Sequence, residues 1–202
     1  MLLGNNLSYR RTAKVIFEDI NISASAGKII FIKGRNGSGK TTLLKTILNI
    51  LEPNTGEVYW MGEKIKKNIF NLYKDTTFIM DKTCASLEMT IKENLIFWKK
   101  INQSKINNQE MLKLIEILDL EQLLDQKTTY LSLGEIKKLE LTRLIIEQKK
   151  LWVMDEPYIG LDQNTTALIN DTFIDHTLNE GIIIFASHYE PDIKNMEIIS
   201  LD

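Results

Sequence analysis

The sequence has few of the residues that stabilise small extracellular proteins or form metal sites. Of its 202 residues only one, Cys84, is a cysteine, so no disulfide can form within the chain, and only two are histidines. One cysteine and two separated histidines leave no cluster with the spacing of zinc ligands. Three prolines are too few for a proline-rich linker. The composition therefore favours one continuous globular unit in a reducing compartment.

Long hydrophobic runs are also missing. No stretch reaches the roughly 18 consecutive apolar residues of a membrane-spanning helix, and Met1–Asn6 lacks the basic and apolar regions of a signal peptide. We therefore expect a cytosolic chain, unless a partner holds it elsewhere. The 25 basic and 27 acidic residues give a net charge of −2, which provides no general attraction to nucleic acid or anionic lipid. No nucleic-acid partner is expected.

Strand-like patterns lie at the two ends of the chain. Up to Lys33, short alternating or β-branched runs predict an antiparallel β edge that leads into a buried strand at Ile29–Ile32. Continuous apolar runs return at Leu151–Met154 and Ile182–Phe185, and such runs are typical of parallel strands buried on both faces. These patterns predict an α/β core.

The middle of the chain has helical periodicity instead. Apolar residues recur at helical spacing in three segments, 91–101, 111–118 and from Ser132 onward. The sequence therefore predicts one domain over residues 1–202, in which a helical sub-lobe at about 82–150 is inserted into a core formed by 1–81 and 151–202.

A glycine-rich loop separates the Ile29–Ile32 strand from an amphipathic helix. Its residues are Gly34, Arg35, Asn36, Gly37, Ser38, Gly39, Lys40 and Thr41. They match the P-loop pattern G-x-x-x-x-G-K-[ST] in the strand, loop and helix context that the motif requires. Glycines allow backbone N–H groups to turn onto phosphate oxygens, and the helix N-terminus adds partial positive charge. The loop predicts a P-loop nucleotidase.

Three side chains at the start of the following helix have predicted roles. Lys40 reaches the β- and γ-phosphates, Thr41 offers its hydroxyl to Mg²⁺, and Thr42 donates on the α-phosphate side. A glycine turn with an exposed lysine would explain neither the lysine nor the threonine at these positions. The helix itself is predicted to continue until Pro53 and Gly56, because Leu43, Leu44, Ile47, Leu48 and Leu51 share one face.

Two carboxylates follow the Leu151–Met154 strand. Asp155 is predicted at the carboxyl edge of the sheet, where open α/β folds bind ligands, and would orient the Mg²⁺ shell. Glu156 points in another direction and is suited to orient or deprotonate the attacking water. Alone, an apolar run followed by Asp-Glu is more typical of a capped surface strand; the P-loop upstream favours the catalytic interpretation.

The segment Leu131–Glu135, followed by Ile136–Leu139, resembles the signature motif of ABC-type ATPases, which reads L-S-G-G-Q with a basic helical continuation. Three further stretches occur in the order that this family shows: Tyr9, Pro157–Asp162 and Ser187-His188. The resemblance covers essentially all 202 residues. It implies an ATPase of the ABC type.

The resemblance also implies roles for single residues. Tyr9 would stack on adenine, although it could instead be an ordinary strand residue, and His188 would be the switch histidine. Ser132, Gly134 and Glu135 would form the signature that completes the site of the opposite subunit. The implied assembly is a head-to-tail homodimer that binds two ATP molecules in its closed state. It would work with integral membrane subunits at the cytoplasmic face of the membrane.

Within the family, the chain most resembles the ATP-binding subunit of the haem exporter of cytochrome c maturation. The resemblance depends on the short length and on two stretches, Gly56–Gly62 and Glu88–Leu95. Exporters of lipids, lipoproteins or small drugs would look similar and remain the alternative. The transported substrate is not encoded, because its contacts would lie in the membrane subunit.

Three positions depart from the family pattern. Lys82 replaces a glutamine that contacts Mg²⁺ and water, Leu133 replaces the first signature glycine, and Glu135 replaces the signature glutamine. We expect slow hydrolysis, with Lys82 turned away from the metal. A nucleotide-dependent regulatory module with little turnover is a second alternative. The remaining histidine, His176, has no motif around it and is expected at the surface.

Overall fold

Nine strands and six α-helices lie in the residues that the computed structural model describes, 1–80 and 82–201. The strands are β1 (Leu2–Arg11), β2 (Lys14–Ala24), β3 (Ile29–Lys33), β4 (Thr55–Trp60), β5 (Glu63–Lys64), β6 (Thr76–Ile79), β7 (Leu151–Asp155), β8 (Ile182–Ser187) and β9 (Glu197–Ser200). The helices are α1 (Lys40–Ile47), α2 (Ile69–Lys74), α3 (Ile91–Ile101), α4 (Asn108–Ile117), α5 (Leu133–Glu147) and α6 (Gln163–Leu178). None of these helices is long and apolar enough to span a bilayer.

The chain divides into two compact units. The first contains residues 1–80, 149–156 and 170–201, and the second contains residues 82–148 and 157–169. Each unit has its own hydrophobic cluster.

The first unit contains both sheets. An antiparallel sheet has the order β2-β1-β4-β5, and a parallel sheet has the order β6-β7-β8-β3-β9. Every residue of β7 and β8 is buried, as their continuous apolar sequences predict for strands covered on both faces. Phe31 of β3 and Phe185 of β8 stack with ring centroids 5.0 Å apart. Because β3, β7 and β8 are parallel neighbours, the segments that follow them meet at one edge.

Helix α1 is shorter than its apolar face predicts. It begins at Lys40 and ends at Ile47, and Asn49 adopts a left-handed backbone with φ 54°. Asparagine tolerates this conformation better than most residues, and it ends the helical path before Pro53. Leu43, Leu44, Ile47 and Leu48 are nevertheless fully buried in the core of this unit.

The second unit is helical. The predicted helix at 91–101 is confirmed residue for residue, and the other two begin at Asn108 and Leu133. Helices α3, α4 and α5 each begin with a capping box, in which the N-cap side chain and a glutamate three residues later exchange bonds with the backbone; the N-caps are Thr90, Asn107 and Ser132. The predicted fold class, an α/β core with an N-terminal antiparallel edge and an inserted helical sub-lobe, is confirmed.

His176 is only partly exposed, although its sequence context predicts a surface position. Its ring stacks on the Trp152 ring at 3.5 Å with an interplanar angle of 5°, and its Nε2 lies 3.3 Å from the Lys150 carbonyl oxygen. Burial lowers the pKa of His176 to about 4. No sequence pattern indicates this contact, because the residues of α6 lack a strong helical periodicity.

Candidate nucleotide-binding site

The glycine-rich loop joins β3 to α1 and needs its glycines for two reasons. Gly37 and Gly39 have φ angles of 83° and 106°, which residues with a Cβ rarely adopt. A Cβ on Gly39 would also lie 2.6 Å from Cγ2 of Ile16. Ser38 Oγ is buried and has no hydrogen-bond partner among the described residues. The loop therefore has a tight backbone turn and a buried hydroxyl that can form a hydrogen bond with a ligand.

Lys40 is buried at the base of this loop. Its side-chain ammonium donates to the carbonyl oxygens of Gly34 at 2.8 Å and Arg35 at 3.3 Å. Only 6% of the residue is exposed, and Nζ lies 3.7 Å from Oε1 of Glu156. A buried ammonium with these partners is fixed at the loop, where phosphate oxygens could replace the carbonyl oxygens.

Thr41 and Asp155 come together from elements 114 residues apart. The Thr41 hydroxyl donates to Oδ2 of Asp155 at 2.5 Å. Asp155 is the last residue of β7 and is only 4% exposed. A hydroxyl oxygen beside a buried carboxylate oxygen offers two ligands of the hard-oxygen type that Mg²⁺ prefers.

Glu156 leaves β7 in a strained conformation. Its φ of 48° lies in the left-handed region, which costs a residue with a Cβ roughly 1–2 kcal/mol. Its backbone N–H donates to the Ala186 carbonyl oxygen at 2.8 Å, which keeps the strained residue on the edge of β8. Backbone strain that surrounding bonds maintain is frequent at functional sites.

The carboxylate of Glu156 is held by two residues at the end of β8. Ser187, which is fully buried, donates its hydroxyl at 2.9 Å, and the backbone N–H of His188 donates at 3.2 Å. Nδ1 of His188 lies 2.9 Å from the same carboxylate, while 58% of the His188 side chain is exposed. Ser187 was not among the predicted site residues. Its position directly before His188, at the end of a buried strand, was the available signal.

Tyr9 lies in β1 and is half-buried. Its ring packs against Phe17 with centroids 6.2 Å apart, at the border of the core of the first unit. This placement fits a strand residue with one exposed side. Stacking of Tyr9 on adenine stays a prediction, as do the roles of the exposed loop residues Arg35 and Asn36 and of Thr42.

The signature segment lies in the second unit. The backbone N–H of Ser132 donates to Oε2 of Glu135 at 2.7 Å, and the Ser132 hydroxyl accepts from the Glu135 N–H at 3.3 Å. These bonds to Ser132, the backbone one foremost, lower the pKa of Glu135. The departure from glutamine at this position therefore forms a capping box, while the other departure, Leu133, is 81% exposed.

Gly134 lies against the loop that precedes α6. A Cβ on Gly134 would lie 2.5 Å from the Gly160 carbonyl oxygen, and Gly160 itself has a φ of 77°. Nearby, Asp162 accepts from the Thr165 N–H at 2.8 Å and pairs with Lys138 at 3.2 Å. The first turn of α5 thus has no space for a side chain at Gly134. Lys82, also in this unit, is exposed, and its position relative to a metal stays a prediction.

Comparisons with known proteins place these features in a family. A family model described as ABC transporter matches residues 17–159. The cytochrome c biogenesis ATP-binding export protein CcmA of Idiomarina loihiensis is 35% identical, over 100% of this chain and 93% of that protein. The protein of the same name from Reclinomonas americana is 34% identical, over 98% of this chain and 89% of that protein.

Solved structures share the fold. A putative ABC transporter ATP-binding protein from Pyrococcus furiosus superimposes with a TM-score of 0.83 at 24% identity, covering 99% of this chain and 96% of the other. The dimeric ATP-binding cassette MJ0796, in a post-hydrolysis state bound to ADP and Pi, has a TM-score of 0.79 at 21% identity, covering 100% of this chain and 94% of that one.

Proposed function

The chain belongs to the ABC transporter family, among the cytochrome c biogenesis ATP-binding export proteins, and we propose that it powers haem export in cytochrome c maturation. As a member of this family it is an ATPase coupled to transport. One observation supports the proposed ATP site. At the carboxyl edge of the parallel sheet, Thr41 contacts Asp155 and Lys40 contacts Glu156.

We infer that the triphosphate of ATP binds in the loop from Gly34 to Thr42. Backbone N–H groups and the N-terminus of α1 face the phosphates, and Lys40 exchanges its two carbonyl partners for β- and γ-phosphate oxygens. The exchange replaces neutral acceptors with charged ones, which form stronger hydrogen bonds with an ammonium. Tyr9 would complete the site on the adenine side.

Thr41 and Asp155 fit a magnesium ion. Their oxygens are 2.5 Å apart, and the described residues contain no cluster of three or more acidic, histidine or cysteine side chains that could bind a metal by themselves. Mg²⁺ needs no such cluster when substrate phosphates and water complete its shell. When bound, the ion neutralises charge on the phosphate oxygens. Thr41 would bind it directly, and Asp155 would bind it through water.

Glu156 is the residue we assign to water activation. Its carboxylate accepts a proton as the water oxygen forms a bond to the γ-phosphorus and the bond from that phosphorus to the β-phosphate oxygen breaks. Ser187 and the His188 N–H hold the carboxylate in place, and Lys40 lies 3.7 Å from it. His188 would sense the γ-phosphate, because more than half of its side chain is exposed.

We propose that two chains form the complete ATPase. Ser132 and Gly134 lie at the start of α5, a helix N-terminus that can face phosphate on another chain. Each ATP would then be bound by the phosphate loop of one protomer and by the signature segment of its partner. The ATP-bound homodimer would close, and hydrolysis would open it and move integral membrane subunits from the cytoplasmic face of the membrane.

A complementation experiment tests the composite site. Lys40→Ala removes the phosphate loop function of one chain and Ser132→Arg removes the signature function of the other, so a mixture should regain one intact site in each heterodimer. The matched control is the cross-linked heterodimer of the parent and a chain that carries both substitutions, because it has no intact composite site. Activity in this control heterodimer but not in the cross-linked heterodimer of the two single variants would contradict the trans arrangement.

The transport role needs a separate test. In cells whose membrane partner is tagged, a Glu156→Gln chain should copurify from detergent extracts with that partner in the presence of ATP. Loss of the chain should remove covalently bound haem from c-type cytochromes. Normal cytochromes together with a lost lipid, lipoprotein or drug export phenotype would favour one of the other exporters.

A further inference from the structure

A buried carboxylate on α5 binds the segment that follows Lys82. Glu140 is 3% exposed, and its Oε1 accepts three hydrogen bonds: from the Thr83 hydroxyl at 2.5 Å, the Cys84 N–H at 2.6 Å and the Ala85 N–H at 2.9 Å. Three donors from three consecutive residues converge on one oxygen, as in the backbone nests that bind anions. The segment is therefore folded around the carboxylate.

The second oxygen of Glu140 belongs to an ion-pair cluster. Arg143 donates to it at 2.9 Å, pairs with Glu147 at 2.7 Å, and lies 5.6 Å from the centre of the Trp98 ring. All three charged residues are buried. The arginine fixes the rotamer of Glu140, and the surplus negative charge of the cluster is balanced by the donors from residues 83–85.

The position of Glu140 on the helix gives this contact a consequence for the site. Glu140 follows Ser132 on the same helix by eight residues, about 12 Å along the axis at 1.5 Å per residue. Lys82 directly precedes the residues that Glu140 holds. A displacement of α5 therefore displaces both the signature segment and the Lys82 segment.

We propose that Glu140 is a positioning residue that joins the Lys82 segment to the signature helix, so that the two reach the nucleotide as one piece. The proposal rests on the proposed function, in which Ser132 completes the ATP site, and on the resemblance by which Lys82 replaces the family's glutamine. Such an anchor explains how Lys82 can replace the family's glutamine without its ammonium approaching the metal. The anchor begins at the next residue, Thr83, and so fixes the backbone from which the Lys82 side chain extends.

Glu147 provides the matched control. It lies on the same helix, is similarly buried and pairs with the same arginine, whereas the three donors of residues 83–85 converge on Glu140. A substitution at Glu147 disturbs the cluster and the stability of the unit but leaves the nest in place. A difference between the two variants therefore isolates the anchor.

Amide hydrogen exchange on the purified full chain tests the contact directly. Glu140→Ala should make the amides of Cys84 and Ala85 exchange at least tenfold faster, whereas Glu147→Ala should leave them within about twofold of the parent. If Glu140→Ala does not fold, Glu140→Gln removes the charge at nearly constant shape and should give a smaller increase at the same two amides. Unchanged protection in the folded Glu140 variant would overturn the anchor.

A double-mutant cycle tests the link to Lys82. Glu140→Gln should change kcat at least threefold with little change in ATP affinity, and that effect should fall below twofold in a Lys82→Gln background. Glu147→Gln should have the same effect in both backgrounds. Independent effects of Glu140→Gln and Lys82→Gln would overturn the positioning role. A parent chain without ATPase activity would contradict the proposed function, and the exchange measurement would still decide the anchor.

Discussion

The phosphate-loop region and the signature region reach their geometry by different routes. At the phosphate loop, Lys40 meets Glu156 and Thr41 meets Asp155 across more than a hundred residues of chain, and parallel strand pairing brings them together. At the signature, Ser132 and Glu135 are three residues apart and arrange each other through a helix cap. The first site depends on the topology of the sheet, whereas the second depends on one helical turn.

The two regions are therefore sensitive to different substitutions. A substitution at the phosphate loop can remove one bond of a network whose other members come from distant strands. A substitution at the signature changes a local cap, except at Gly134, where the turn touches the backbone of Gly160.

Glu156→Gln should have the largest effect. The amide keeps the shape of the side chain but cannot accept a proton, so turnover should fall by about 100-fold or more, while ATP affinity stays close to that of the parent. Steady-state hydrolysis and equilibrium nucleotide binding measure the two effects. Glu190→Gln, at an exposed glutamate that pairs with Lys33, is the control. Turnover at the parent rate would show that Glu156 is not the catalytic carboxylate.

Acid should weaken the first unit before the second. The pKa of His176 is about 4 in the folded state, below its ordinary value of 6.5, so folding favours the neutral ring. The contribution of the neutral ring to the free energy of unfolding is complete above pH 6.5 and is lost as the pH falls toward 4. Its upper limit is about 3 kcal/mol. His176→Phe keeps the stacking on Trp152 and should flatten the fall in unfolding free energy between pH 6.5 and 4.5.

The second unit should respond at lower pH. The hydrogen bond from the Thr165 N–H and, to a smaller extent, the one from Lys138 lower the pKa of Asp162 to about 2. The stability that this exposed carboxylate contributes is therefore lost only below its ordinary pKa near 3.8. Amide hydrogen exchange measured as a function of pH would report the stability of each unit separately. Simultaneous loss of protection in both units on acidification would contradict the contrast.

Gly134→Ala should destabilise the second unit by about 1–3 kcal/mol. Its Cβ would lie 2.5 Å from a backbone oxygen, so the Gly160 turn has to shift. Gly62→Ala is the control, because Gly62 has a φ of 85° and open space around it, and only the conformational cost of about 1 kcal/mol should appear. Thermal or denaturant unfolding measures both. A smaller cost at Gly134 than at Gly62 would show that the close approach is not limiting.

Glu135→Gln should have the smallest effect on stability. A glutamine preserves the capping box and loses only the charge at the helix N-terminus, which is worth about 0.3–1 kcal/mol. Glu93→Gln makes the same change in the equivalent box of α3. The two variants should lose similar stability, and only Glu135→Gln should alter turnover. A change in turnover of equal size at Glu93 would exclude a specific role for the signature glutamate.

Much of the molecule could be predicted from local pattern. The P-loop, the buried strands at 151–154 and 182–185, and helix α3 are encoded in consecutive residues. The end of α1 was not predicted, because apolar periodicity continues to Leu51 whereas the backbone turns at Asn49. No pattern in consecutive residues indicates helix α6 or strands β6 and β9, because their residues lack a strong helical or alternating periodicity.

The motifs, their order and the family to which the chain belongs follow from the sequence, because these depend on residue types at fixed spacing. Which distant groups meet depends on the tertiary structure. Sheet topology placed Ser187 on Glu156, the packing of α6 stacked His176 on Trp152, and the contact of α5 with residues 83–85 gave Glu140 its three donors. Each of these contacts depends on the free energy of burying whole elements, which no short stretch of sequence contains.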